Sequence, residues 1–342
     1  MESSQDKFEI KLREHVAALF RKKEIKKYAD KRIIIKAVSF LLLFILSYSF
    51  IILFDNIFIL SASYSILGLT NILLSINIGH EAIHNCLSSE KKLNQIGKLT
   101  FNLAGVSPLI WGTKHLNSHH KHTNIPELDT DFQQSKLVRL DPNFPKSKFH
   151  YYQQYYIPIF YLLYTFHWTY IKDFKEAITQ NVKSESFISP IFNLVINKFS
   201  YLILFLLIPL MIHHYDFNVI VGFLLSYIVT GAFFGLFLIP IHINDYAQIH
   251  CKNLDNRLTF VEQLESTPNF STNNQVLNFL LGGFNHHACH HLFPSISHVH
   301  YPIITRLIEK ISTEEGIRYN NLTYFQLIKS HFRHLKTLSK LP

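Results

Sequence analysis

Residues 57–84 read IFILSASYSILGLTNILLSINIGHEAIH, an uncharged apolar run that ends in two histidines four positions apart around a glutamate. A bilayer crossing needs about 20 apolar residues in a helix, and the stretch from Ile57 to Ile78 supplies them. His80 and His84 stand at i and i+4, so both imidazoles leave one helix face where the span ends. The run therefore predicts a membrane helix that delivers a histidine pair to the membrane surface.

Working outward, a second apolar run from Ile33 to Phe54 precedes it across Asp55-Asn56, and two more, Phe199 to Ile212 and Val219 to Pro240, flank a short loop from His213 to Asn218. The expected spans are about 33–54, 57–79, 199–213 and 218–240. Neither short loop carries Lys or Arg, whereas Arg21, Lys22, Lys23, Lys26, Lys27, Lys31, Arg32 and Lys36 precede the first pair and Lys91, Lys92 and Lys98 follow it. By the positive-inside rule both hairpins enter from the cytosol and return to it.

The aromatic stretch from Tyr151 to Phe174 contains Gln153, Gln154, His167 and Lys172, which are costly in hydrocarbon, and reads as an interfacial helix. Phe101 to Ile110 is too short to cross and holds Pro108, which predicts a turn or a shallow re-entrant piece. The expected fold is an all-α integral membrane protein, with four transmembrane helices in two hairpins, interfacial helices and a cytosolic helical cap. Its divisions are a cytosolic amphipathic arm at 1–32, a membrane domain at 33–300 and cytosolic C-terminal helices at 301–342.

Composition supports this reading. The 48% apolar share, with 30 Phe and 17 Tyr, suits lipid-facing helices and interfacial aromatic belts. The net charge of +9 comes without any finger, basic zipper or RNA-binding signature, so it reads as membrane orientation and attraction to anionic headgroups, not as nucleic-acid binding. Cys86, Cys251 and Cys289 form no CxxC pair and fit a reducing compartment. The charged arm before the first run is no cleavable signal peptide. Within it Phe8, Leu12, Val16, Leu19 and Phe20 recur at helical spacing, as on a helix lying on the membrane or packed on the protein's own cap.

Two further histidine clusters answer the first. His115 and His119 repeat the i, i+4 spacing with His120 adjoining, and His287, His290 and His291 are i, i+3 and i+4. His242 lies just past Pro240, where the fourth span ends. A single such pair is commonplace among 21 histidines. The whole set placed at one membrane depth is a metal constellation.

Ligand chemistry narrows the metal. These histidines overfill one zinc ion, and calcium and magnesium want oxygen ligands. Two iron ions fit best, with two zinc ions as the runner-up. Glu81, Asp129, Asp131 and Asp245 are candidates to hold the far ring nitrogens. Cys289, offset by two from His287, points off the shared face. His122 and His286 adjoin ligands, His298 and His300 read as local hydrogen-bonders, and Trp111 reads as an interfacial anchor.

GHEAIHN (79–85), WGTKHLNSHHKHTN (111–124) followed by Asp129 and Asp131, and GGFNHHACHHLFPSISHVHYP (282–302) resemble the three histidine boxes of the membrane fatty acid desaturase family. The resemblance runs from the first span to His300. It implies a non-haem di-iron centre, O2 as co-substrate, a long-chain acyl substrate on CoA or lipid, and electrons from a cytochrome b5 or ferredoxin chain. It also implies that His242 is an extra ligand. Front-end members commonly place Gln where this chain has His287, so their regioselectivity is not carried over. The sequence holds no His-Pro-Gly-Gly motif of a fused cytochrome b5, so a separate, acidic donor is expected on the basic cytosolic face of a bacterial inner membrane or endoplasmic reticulum. The alternatives are a lipid or alkane hydroxylase of the same superfamily and, outside catalysis, a metal transporter or sensor. Transporters place ionisable groups near the bilayer midplane, whereas these clusters sit at the ends of spans.

Overall fold

The computed structural model describes residues 4–179, 190–251 and 258–342, so the first three residues of the expected arm lie outside the described residues. Secondary structure is almost entirely helical. The strands among the described residues are Asn269–Phe270 and Asn321–Leu322, paired in parallel.

The chain opens with helix α1, Ser4–Lys23. Among the described residues four helices are long and apolar enough to cross a membrane: α2 (Lys31–Leu53), α3 (Ile57–Ile83), α4 (Pro190–Ile212) and α5 (Phe217–His242). Their number is the one expected, but the third begins at Pro190 and not near 199. Asn193, Asn197 and Lys198 interrupt its hydropathy, yet Asn197 and Lys198 are buried, and the Lys198 ammonium lies 2.5 Å from Asp173. The second and fourth spans also run on, to Ile83 and His242, because the histidine segments continue the helices that carry them. The short connectors are caps: Asp30 accepts from the Arg32 amide, Asn56 from Phe58 and Ile59, and Asp216 from Asn218.

By contacts the chain divides into two compact units, one of Asp30–Lys114 and Pro158–Gly235, the other of Met1–Ala29, His115–Ile157 and Leu236–Pro342. The first holds the membrane helices. α3 packs against both α2 and α5, around Leu60, Tyr64, Leu67, Phe205 and Phe223. Gly222 is required there, since a Cβ would lie 2.4 Å from the Tyr64 ring. Away from these contacts α2 turns Ile34, Ile35, Leu42 and Ile45 outward, with Leu42 62% exposed. An apolar face of that extent fits lipid, not water.

Thr100–Leu103 and Pro108–Lys114 are short helices broken at Gly105, whose φ is +68°, in keeping with a segment too short to cross. The stretch read as interfacial is helical over Gln153–His167 and continues through Trp168–Lys172 to Asp173–Thr179. It falls outside the candidate spans.

The second unit holds the segments expected to form the cap. Phe8, Leu12 and Val16 of α1 are buried against Phe260, Leu264, Leu292 and Ile304, so the arm's apolar stripe covers protein and not lipid. Lys11 pairs with Glu315, and the Arg13 guanidinium lies 4.5 Å from the Phe260 ring centre, which fixes the choice between the two placements. The C-terminal stretch forms the helices α6 (Tyr301–Glu314) and α7 (Tyr324–Lys340). Arg139, 1% exposed, ties down the end of α7 and the residues after it by donating to the carbonyls of Leu338 (3.3 Å), Leu341 (3.0 Å) and Pro342 (2.8 Å).

His331 on α7 is fully buried and its Nδ1 donates to the Ile243 carbonyl at 2.5 Å. Burial pushes its pKa down from 6.5 to about 4, partly offset by that bond. The unfolded chain thus takes up a proton near pH 6.5 that the folded cap refuses, so stability is full above that pH and falls as pH drops toward 4. The loss amounts to about 3 kcal/mol. Melting curves over this window should show it, and His331→Gln should flatten that slope; an unchanged slope would assign the acid sensitivity to other groups.

Candidate metal centre

Within the membrane unit, the helix carrying the first histidine pair widens just before it. Ser75–Gly79 is a π turn, closed by the His80 amide bonding to the Ser75 carbonyl. His80 and His84 follow, both buried, with ring centroids 4.8 Å apart. Gly79 permits this packing, because a Cβ would lie 2.5 Å from Thr100 Oγ1 and 2.8 Å from the Phe101 ring. Trp111 is not an interfacial anchor. It is 8% exposed, 4.5 Å from the Phe101 ring and 5.8 Å from His80, because the helix Pro108–Lys114 turns it inward.

In the cap, His115–His119 forms a second π turn, in which the His120 amide bonds to the His115 carbonyl. The wide turn brings i beside i+5, and the Nε2 atoms of His115 and His120 lie 3.1 Å apart. His115 and His119, the i and i+4 pair, have ring centroids 5.5 Å apart. The helix His287–Leu292 brings in the third cluster, with the His287 and His291 rings 4.6 Å apart. The end of α5 adds His242, whose Nε2 is 2.7 Å from that of His287. The cap thereby brings together His115, His119, His120, His242, His287, His290 and His291, while His80 and His84 belong to the other unit. Ligand atoms of His119, His242 and His291, and those of His120, His290 and His291, fall within 4.8 Å of one another.

Supporting bonds select the tautomers. His119 Nδ1 donates to both oxygens of Asp129 at 3.1 Å, which leaves Nε2 as the lone pair. Asp129 is held in turn by the Asn124 and Asp131 amides. Thr123 Oγ1 faces two acceptors, the His119 carbonyl at 2.8 Å and Gln263 Oε1 at 3.1 Å, so its oxygen must accept from His291 Nδ1 at 3.1 Å. His291 Nε2 is then a lone pair, buried and with no hydrogen-bond partner. Burial, then the neighbouring imidazoles of His120, His287, His119 and His242, hold the His291 pKa well below the usual range. Neutral imidazoles with inward lone pairs are what a metal ion binds, so the residues present fit one. His290 Nδ1 is 3.3 Å from the Tyr301 hydroxyl, a similar anchor.

Thr123, Asn124, Gln263 and Tyr301 were not singled out from sequence. The first two end the second cluster's HTN and Tyr301 ends HVHY, so proximity to the clusters was their signal; Gln263 had none. Other expectations resolve individually. Asp131 is 4.0 Å from His119 Nδ1 and Glu81 is buried beside His80 in the chain. Asp245 does not support the cluster but pairs with Arg333, its amide bonded to Ser330, because the turn after His242 faces α7. Cys289 packs in the apolar core under α1 and joins none of the ligand groups found among the described residues. His286 bonds Thr305 and Asn278, and His300 bonds the Tyr28 carbonyl, as local partners.

Comparison with known proteins adds an independent line. A family profile described as Fatty acid desaturase matches residues 56–323. The chain is similar to the sn-1 linoleoyl-lipid 6-desaturase of Synechocystis sp., 28% identical over 78% of this chain and 77% of that one. It is also similar to the enzyme of the same name from Arthrospira platensis, 26% identical over 81% and 77%. A further relative is the acyl-lipid (8-3)-desaturase B of Dictyostelium discoideum, 26% identical over 80% of this chain and 63% of that one.

Proposed function

Because the chain belongs to the fatty acid desaturase family, we propose that it is a multi-pass membrane oxidoreductase that introduces a double bond into a long acyl chain carried on a lipid. The relatives' names favour a lipid-linked chain over a CoA ester, and desaturation over hydroxylation. The observation that carries the reading is the locked tautomer of His291, a buried lone pair aimed at nothing the protein itself supplies.

His80, His84, His115, His119, His120, His242, His287, His290 and His291 would hold two iron ions. When bound, the irons supply the oxidising power that O2 and two electrons generate for removing hydrogens from neighbouring methylenes. The chain's own residues do the rest. Asp129 and Thr123 keep imidazole protons on the outer ring nitrogens. Tyr301 and Gln263 fix the backbone and rings that point inward. The apolar packing of the cap against α1 excludes water from a centre that side reactions would otherwise reach. The basic flanks of the spans favour a cytosolic position for this cap, within reach of a separate ferredoxin or cytochrome b5 type donor, with the 151–174 helix lying at the interface.

Expression in a host lacking desaturases, together with a competent electron donor, should yield lipids with a new double bond by mass spectrometry. A hydroxylated chain would favour oxygen insertion instead. A saturated profile despite a working donor would overturn both readings.

A further inference from the structure

Lys36, early in α2, is 5% exposed inside a membrane-spanning helix, and its ammonium donates to Asn77 Oδ1 at 3.0 Å. Asn77 is itself fully buried and sits in the middle of the π turn Ser75–Gly79. Its amide nitrogen donates to the Leu73 carbonyl at 2.9 Å. Glu81, one helical turn beyond Asn77, is 1% exposed and within electrostatic reach of the same ammonium. An ammonium at such a place is destabilising compared with an apolar side chain of equal length, so its presence calls for a role other than packing.

A π turn inserts one residue into the helix and rotates everything after it by about 100° relative to an unbroken α-helix. His80 and His84 come directly after this turn, so the direction in which they leave the span depends on whether it holds. Asn77 bridges the widened turn to α2, and Lys36 is what it bridges to.

We propose that Lys36 is a positioning residue for the first histidine pair, holding through Asn77 and Glu81 the π turn that aims His80 and His84. This rests on the proposed iron-binding role of that pair. In the full chain in lipid nanodiscs, Lys36→Met is expected to weaken iron binding about 10- to 100-fold and to change the Mössbauer signature of one iron of the pair. Lys36→Arg, which keeps the charge, should restore both. Wild-type affinity and signature in Lys36→Met, or equal loss of both irons, would overturn the proposal.

Amide hydrogen exchange over residues 73–84 of the iron-free protein gives a reading that needs no metal. Exchange should quicken in Lys36→Met and equally in Asn77→Leu, which serves should the first variant fail to accumulate; unchanged protection in Asn77→Leu overturns the proposal. A wild-type chain that binds no iron would sink the iron-centre reading while leaving the exchange result to decide whether Lys36 holds the turn.

Discussion

His291→Ala should reduce product formation to background and lower the iron bound per chain, while the membrane helices stay folded. His291 is the histidine shared by the two all-histidine ligand groups found within the cap. Its Nε2 has no protein partner to lose, so the substitution removes a metal ligand without stranding a hydrogen bond except at Thr123, whose single hydroxyl proton still has the His119 carbonyl as acceptor. The direct consequence is a metal-binding defect, and the secondary one a cavity of imidazole size. Thr123→Val gives the graded counterpart: the ligand stays, its tautomer is released, and affinity should fall about 10- to 100-fold, as for other groups that hold ligands. Lipid profiles and iron content measured on the same preparations check both. Near-normal desaturation in His291→Ala would remove this residue from the ligand set.

Lys198→Met should be among the most destabilising single changes in the membrane unit, by about 3–5 kcal/mol. Asp173 is completely buried, and its Oδ1 has no partner, so the Lys198 ammonium 2.5 Å from Oδ2 is its main counter-charge. The Ser107 amide at 3.5 Å adds little. Lys198 also bonds the Gly105 carbonyl, at the break between the two short helices, so its loss loosens that turn as well. Replacing both partners, as Lys198→Met with Asp173→Asn, should recover most of the loss because no uncompensated charge remains. Thermal melts in detergent distinguish the outcomes. A single variant as stable as wild type would mean that the buried pair contributes nothing to stability.

That same pair shows where the sequence could and could not be read. Spans were legible wherever hydropathy alone sets them, and α4 was cut short because a lysine that looks prohibitive in isolation is neutralised by a partner 25 positions away. The histidine clusters were legible because metal binding restricts residue type as well as spacing. Their detailed pairing was not, since a π turn changes which positions face each other and is stabilised by tertiary contacts, as Lys36 and Asn77 illustrate. Gln263 lies 140 residues from the Thr123 it supports, and no local pattern joins them. Trp111 carries the hallmark of a membrane-surface residue and is turned inward by the short helix that bears it. The arm's amphipathic stripe fitted lipid or protein equally, and only Phe260 and its neighbours decide between them.

Arg139 reaches a carbonyl 199 residues further along the chain, and the cap is assembled from three stretches that synthesis delivers far apart in time. On the ribosome, His115, His119 and His120 emerge long before their partners His287, His290 and His291. A nascent chain therefore exposes only incomplete ligand sets, which hold a metal weakly, until translation is nearly finished. On the proposed iron-binding role of these histidines, iron capture would be a late maturation event, and cells short of iron should accumulate full-length apoprotein rather than truncated chains.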